Sequence, residues 1–202
     1  MEPISKVNLE RLTNGIYAFT MTLLVRNIQT PDPGLVITEP GLVQYLVTTI
    51  LSIVDFAGSF IILGMFWLFY FQMFHRMKSV DFRFIYLHFA SLMVVVFVPF
   101  TESLTSYNTT VPLADVLFQV NYLALSVLLV LAWHHARSHP ELLVPELTGP
   151  EASFLGKKFL VPLGAACVGV LFIIAGFAYV DLLYLLPLVI LAVFFRQPPC
   201  QI

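Results

Sequence analysis

The stretch LTNGIYAFTMTLLV, residues 12–25, decides how this sequence folds. Between Arg11 and Arg26, a separation of ~22 Å in a helix, it mixes apolar side chains with four polar ones, Thr13, Asn14, Thr20 and Thr22. A helix facing lipid has little use for that mixture, because each hydroxyl or amide in hydrocarbon needs an internal partner. The composition predicts a short helix that lies inside a bundle and lines an ion pathway.

The composition of the whole chain indicates a membrane protein. It has 202 residues, of which 59% are hydrophobic and 11% charged, whereas a soluble domain carries about a quarter charged residues. Its two cysteines, Cys167 and Cys200, provide neither a disulfide framework nor metal-site spacing. We see no phosphate-binding glycine loop, no nucleophile–base pair and no basic patch for nucleic acid. The chain is therefore expected not to be an enzyme and to need no cofactor or metal.

Apolar segments of spanning length divide the chain into six helices, which predicts an all-α, polytopic membrane domain covering residues 1–202. The second segment is long enough to exceed the ~30 Å hydrocarbon core, which suggests a tilt, a kink or an extension beyond the bilayer. The six predicted helices are 12–27, 42–74, 84–100, 113–133, 159–180 and 182–195.

The lysines and arginines predict the orientation. With six spans, nine of the ten fall on one side of the membrane, and only Arg26 falls on the other. An excess of positive charge marks the cytoplasmic side. We therefore expect a multi-pass protein of a cell membrane with both termini in the cytoplasm.

Two stripes run along the first helix. Arg11, Gly15, Phe19, Thr22 and Arg26 are spaced 4, 4, 3 and 4, so they share one face of a helix. Thr13, Thr20 and Asn27 form a second stripe at a spacing of seven. The first stripe is suited to face a pore and the second a neighbouring helix. The alternative is that both stripes pack against other helices, since threonines commonly hydrogen-bond between helices.

Asp55 is the most prominent polar residue outside the first helix, because an acidic side chain in a membrane segment suggests a function. It is expected at the outer boundary, at a depth similar to that of Arg26. A pair between Asp55 and Arg26 would neutralise both charges in a region of low dielectric. Glu39 is a competing partner for the arginine.

The histidines and tryptophans are weaker indications of a functional site than the residues above. His134, His135 and His139 lack the acidic or cysteine companions of a metal site. His88 lies in the third helix and leaves open a second class of function, a proton-coupled secondary transporter that uses Asp55 and His88. Trp67 and Trp133, near the inner ends of their helices, are expected to be interfacial anchors.

Three segments resemble the prokaryotic members of the transmembrane protein 175 family, six-helix potassium-permeable channels: NGIYAFTMTLLV (14–25), GMFWLFYFQMFHRMKSVD (64–81) and VPFT (98–101). The family's first helix reads like R-x-x-x-F-S-D-G followed by F-A-I-x-x-T-L-L-V. Identical residues at these positions are Gly15, Ala18, Thr22, Leu23, Leu24 and Val25. The family arginine falls on Asn8, and its F-S-D falls on Leu12, Thr13 and Asn14, so that Thr13 and Asn14 keep hydrogen-bonding ability without the carboxylate.

The resemblance implies a homotetramer in the lipid bilayer, with the first helix of each subunit lining a central pore for potassium ions. It places a hydrophobic constriction at Phe19, Thr22 and Leu23, with Gly15 further along the lining and Arg26 at the outer mouth. An arginine at an outer pore ring disfavours cations electrostatically. The functional prediction is a passive, potassium-permeable cation channel.

Overall fold

The computed structural model describes residues 5–28, 30, 38–107, 112–175, 186–187 and 189–190; residues 51, 106, 107 and 112 are described for their backbone only. Within these residues the chain is all-helical. Its elements are α1 (Lys6–Leu23), a 3-10 turn (Leu24–Asn27), α2 (Glu39–His75), α3 (Phe82–Tyr107), α4 (Pro112–Ser138), a second 3-10 turn (Pro140–Leu142) and α5 (Gly149–Ile174). Residues 186–187 and 189–190 are helical and lie in the predicted sixth helix, the rest of which is outside the described residues.

Four of these helices are long and apolar enough to cross a membrane, namely Ser52–His75, Phe82–Thr105, Leu113–Ser138 and Gly149–Ile174. The chain is therefore a multi-pass membrane protein of the all-α class. The first helix is not among the four; it has 18 residues, a length of ~27 Å, and it carries Lys6, Glu10 and Arg11.

The five described helices all begin earlier than the apolar segments predict, and two of them begin at least six residues earlier. Ser5 caps α1, and its side chain accepts a hydrogen bond from the Asn8 N–H, so that this helix starts at Lys6 rather than at residue 12. Thr148 and Glu151 form a capping box, so that α5 starts at Gly149 rather than at residue 159. The stretch between the predicted fourth and fifth helices thus contains the first turns of α5.

The core between α2, α4 and α5 is aromatic. Ring centroids lie 5.6 Å apart for Phe66 and Tyr122, 5.4 Å apart for Phe69 and Phe159, and 5.4 Å apart for Trp133 and Phe159. Edge-to-face pairs at such separations stabilise a core beyond their burial. Trp133 is buried in this cluster, so the expectation that it anchors the membrane interface is wrong.

One end of the bundle, which we call the basic end, is closed by the connections that follow α2 and α4. The Lys78 N–H donates to the Leu142 carbonyl at 2.7 Å, which ties the two connections together. The Lys6 ammonium donates to the Met77 carbonyl at 2.8 Å, which attaches the start of α1 to the same place. The first turn of α1 is therefore fixed to the rest of the bundle.

Asp81 adds an ion pair at the basic end. Its carboxylate accepts from the Phe84 N–H at 2.9 Å, which caps α3, and lies 2.9 Å from His135 Nε2 on α4. Partial burial raises the pKa of Asp81, but the hydrogen bonds from Phe84 and His135, together with the charge of His135, outweigh it and leave the pKa below its ordinary value. The carboxylate thus joins the start of α3 to the end of α4.

Candidate functional site

The first helix has one exposed face and one buried face. Arg11, Gly15, Phe19, Thr22 and Arg26 are all exposed in the single chain, and the exposed fraction of Phe19 is 62%. On the other face the chain buries Leu9, Thr13, Tyr17, Thr20 and Leu24. Both sets follow the helical repeat, so the sequence pattern and the structure assign the same two faces.

The buried face is attached to α3 near the basic end. Thr13 Oγ1 lies 2.6 Å from His88 Nε2 and 2.7 Å from the Leu9 carbonyl. The His88 ring is enclosed by aromatic rings, with centroid distances of 4.6 Å to Tyr70 and 5.2 Å to Phe74. A buried histidine in such a position orients a neighbouring helix, which gives Thr13 and His88 a positioning role.

Two side-chain amides, those of Asn14 and Asn27, form further hydrogen bonds between the first helical segment and its neighbours. Asn14 Oδ1 accepts from Trp67 Nε1 on α2 at 2.8 Å, and Asn27 Nδ2 donates to the Pro99 carbonyl on α3 at 3.0 Å. The middle of α1 is therefore attached to α3 through Thr13 and to α2 through Asn14, and the 3-10 turn after it is attached to α3 through Asn27. Neither the Trp67 contact nor the His88 contact could be read from the sequence, because both depend on how neighbouring helices are rotated.

The residues of the predicted constriction differ in exposure. Phe19 and Thr22 are exposed, while Leu23 is half-buried and lies off the exposed face. The Thr22 hydroxyl donates to the Phe19 carbonyl at 2.7 Å. Its single proton is thereby occupied and its oxygen remains free to accept. A Cβ built on Gly15 meets no atom within 4 Å, so the lower part of this face is also open.

Arg26 and Asp55 do not pair within one chain. Both are exposed, and neither forms an ion pair with another described residue. The pairing of the two residues in the assembled protein stays a prediction.

The two groups proposed for a proton-coupled transporter lie far apart. His88 packs against Tyr70, and Asp55 precedes Tyr70 on the same helix by a distance of ~22 Å. His88 is fully buried and Asp55 is exposed. Residues this far apart cannot exchange a proton directly, so no observation favours the transporter.

The sequence matches a known family model. Residues 8–99 match the model described as "Endosomal/lysosomal potassium channel TMEM175". This region includes most of α1, all of α2 and most of α3.

Relatives and a solved structure extend the similarity beyond that region. A protein named as a potassium channel of Chamaesiphon minutus is 29% identical over 154 residues, which are 75% of each chain. A protein of Streptomyces collinus with the same kind of name is 27% identical over 158 residues, covering 75% of this chain and 74% of the relative. The crystal structure of a lysosomal potassium-selective channel TMEM175 homolog from Chamaesiphon minutus matches with a TM-score of 0.75 and 25% identity, over 91% of this chain and 95% of that one.

Proposed function

We propose that this chain, which belongs to the TMEM175 family, conducts potassium ions passively through a pore lined by its first helix. The observation that carries the proposal is the exposed face of α1, where Phe19 and Thr22 lie uncovered. Hydrogen bonds of Thr13 and Asn14 hold this helix against α3 and α2. A rigidly held helix with one uncovered face is suited to line a passage. We infer that the ion is potassium from the relatives that are named as potassium channels.

We further propose that four copies assemble around the exposed face of α1. One helix cannot enclose a passage, and closed rotational symmetry is the usual way in which identical subunits build a ring. The exposed face is then covered by its equivalents from the other subunits. The lipid bilayer surrounds this homotetramer.

Phe19 and Thr22 are assigned different roles in this pore. Four Phe19 rings form an apolar collar that gates by excluding water. The Thr22 oxygens, whose protons are committed to the Phe19 carbonyls, replace part of the hydration shell of a cation. Leu23, half-buried in the single chain, supports the collar from the side.

Arg26 and Asp55 meet between neighbouring subunits. Arg26 is twenty positions from Lys6 at the start of α1, and Asp55 is twenty positions from His75 at the end of α2. Each therefore lies ~30 Å from the basic end. Pairing across the interface removes a cation-repelling charge from the pore mouth.

The proposed location is a cell membrane, with the basic end and both termini in the cytoplasm. The start of α1, the connection after α2 and the start of α3 carry Lys6, Arg76, Lys78 and Arg83, as the positive-inside rule requires of the cytoplasmic side.

A reconstituted flux assay tests the conduction. Purified protein in liposomes is given potassium or sodium gradients, and wild type is compared with Phe19→Ala. We expect potassium flux in the wild type and a larger, less selective flux in Phe19→Ala, because a smaller side chain widens and wets the collar. Phe97→Ala, which truncates an exposed phenylalanine of α3, serves as the matched control and should behave as wild type. Absence of flux in both the wild type and Phe19→Ala contradicts the proposal.

A further inference from the structure

Behind the buried face of α1 lie five polar atoms, of which two, the hydroxyls of Tyr70 and Ser91, interact with each other and three have no partner among the described residues. They are Tyr17 Oη, Thr20 Oγ1, Tyr70 Oη, His88 Nδ1 and Ser91 Oγ, which we call the polar cluster. All five residues are completely buried. Buried polar groups in proteins nearly always have a hydrogen-bond partner, and a membrane bundle offers no bulk water to supply one.

The members of the polar cluster are neighbours. The ring centroids of Tyr17 and Tyr70 are 6.5 Å apart, and those of Tyr70 and His88 are 4.6 Å apart. Ser91 lies one turn beyond His88 on α3, and Thr20 lies one turn beyond Tyr17 on α1. Three helices, α1, α2 and α3, thus contribute polar atoms to one buried region.

The hydroxyls of Thr20 and Ser91 do not form the hydrogen bond that serine and threonine usually make to a carbonyl of their own helix. Elsewhere in the bundle hydroxyls donate to a carbonyl one turn earlier, as do Thr13 to Leu9, Thr49 to Tyr45 and Ser126 to Tyr122. Thr20 and Ser91 make no such bond. The Thr20 hydroxyl remains available to a ligand between the helices, and Ser91, which interacts with Tyr70, keeps a lone pair that can accept.

The contacts of His88 identify its free nitrogen as an acceptor. The single proton of the Thr13 hydroxyl is donated to the Leu9 carbonyl, so the short contact to His88 requires Nε2–H as the donor. In the neutral ring Nδ1 then carries a lone pair. This lone pair needs a donor that none of the described residues provides.

We propose that the polar cluster binds internal water molecules, held between α1, α2 and α3. The cluster combines an acceptor nitrogen with hydroxyls that both donate and accept, and none of its five residues needs a counter-ion in this state. A matching ligand is small, neutral and able to donate and accept, which describes water. Buried waters typically make about three hydrogen bonds, and the cluster offers five groups. The site is independent of the proposed conduction.

Hydroxyl-radical footprinting of the purified full-length protein tests this site. Radicals produced from a bound water react with the side chains that hold it. We expect Tyr17 and Tyr70 to be labelled at a rate approaching that of Tyr86, which is 73% exposed. Met73 is the internal control, because it is fully buried on the same helix as Tyr70 and its sulfur oxidises readily; it should stay unlabelled.

Three results overturn the proposal. If Tyr17 and Tyr70 stay unlabelled while Tyr86 reacts, the cluster is dry. If Met73 is labelled together with the tyrosines, the labelling reports opening of the bundle rather than bound water. The isosteric variant Tyr70→Phe removes one anchor and should lower the labelling of Tyr17; unchanged labelling there also contradicts a shared site. The rates at Tyr86 and Met73 show whether this variant is folded.

Discussion

Thr13 is the residue through which α1 depends most directly on α3. Its oxygen contacts both His88 Nε2 and the carbonyl of Leu9, so one hydroxyl links the interior of the helix to a fully buried histidine. Leaving a buried donor without a partner costs ~1–3 kcal/mol. The hydroxyl is therefore expected to matter more than the size of the side chain.

We expect Thr13→Val, which keeps the shape but not the hydroxyl, to destabilise the protein by ~1–3 kcal/mol. Thr13→Ser keeps the hydroxyl and should lose less. Thermal unfolding of the purified protein compares the two variants. Equal stability of Thr13→Val and wild type contradicts the positioning role of the hydroxyl.

Asp55 tests the proposed contact between subunits. We expect Asp55→Asn to lower potassium flux, because an unpaired Arg26 at the mouth repels cations, and to lower it less at high salt, because salt screens exposed charges. The flux assay at low and high ionic strength measures both effects. Asp115→Asn, which neutralises an exposed carboxylate of α4, is the control. If Asp55→Asn leaves both stability and flux unchanged, the pairing is refuted.

Between helices, the ion pair of Asp81 and His135 joins α3 to α4 at the basic end. Asp81→Asn keeps an acceptor for the Phe84 N–H but removes the charge. We expect a modest loss of thermal stability at neutral pH, since the aspartate side chain is 34% exposed and partly screened.

The pH dependence of this loss follows from the lowered pKa of Asp81. A carboxyl whose pKa is depressed by folding stabilises the protein above its unfolded value, about 3.9, and loses that contribution as pH falls through the folded value. The difference in melting temperature between wild type and Asp81→Asn should therefore persist at mildly acidic pH and shrink below about pH 4. A difference that is already lost between pH 7 and 5 contradicts this assignment.

The order of the helices and the two faces of α1 could be predicted from the sequence, because length and periodicity specify them. The start of α5 could also have been predicted from the sequence, since Thr148 and Glu151 have the spacing of a capping box. The apolar segment alone predicts a start at residue 159. The burial of Trp133 could not be predicted from the sequence. Lipid and protein core are both apolar, so hydropathy does not tell which face of a membrane helix is turned inward.

The protein as a whole is expected to be an oligomer, because the exposed face of α1 can be covered by further copies of the chain. We expect native mass spectrometry of the detergent-solubilised protein to give four chains, because the ring that covers the exposed face of α1 is closed. A monomer or a dimer at all protein concentrations contradicts the proposed pore.

The proposed pore requires that the exposed face of α1, and not its buried face, lines the ion pathway. Thr22 and Thr20 form a matched pair, since both are threonines of the same helix and only Thr22 is exposed. In a background in which Cys167 and Cys200 are replaced by serine, each threonine is changed to cysteine and treated with a charged, water-soluble thiol reagent. We predict that the reagent blocks potassium flux through Thr22→Cys and leaves Thr20→Cys unaffected. Block of Thr20→Cys, or unaltered flux through Thr22→Cys, contradicts the claim.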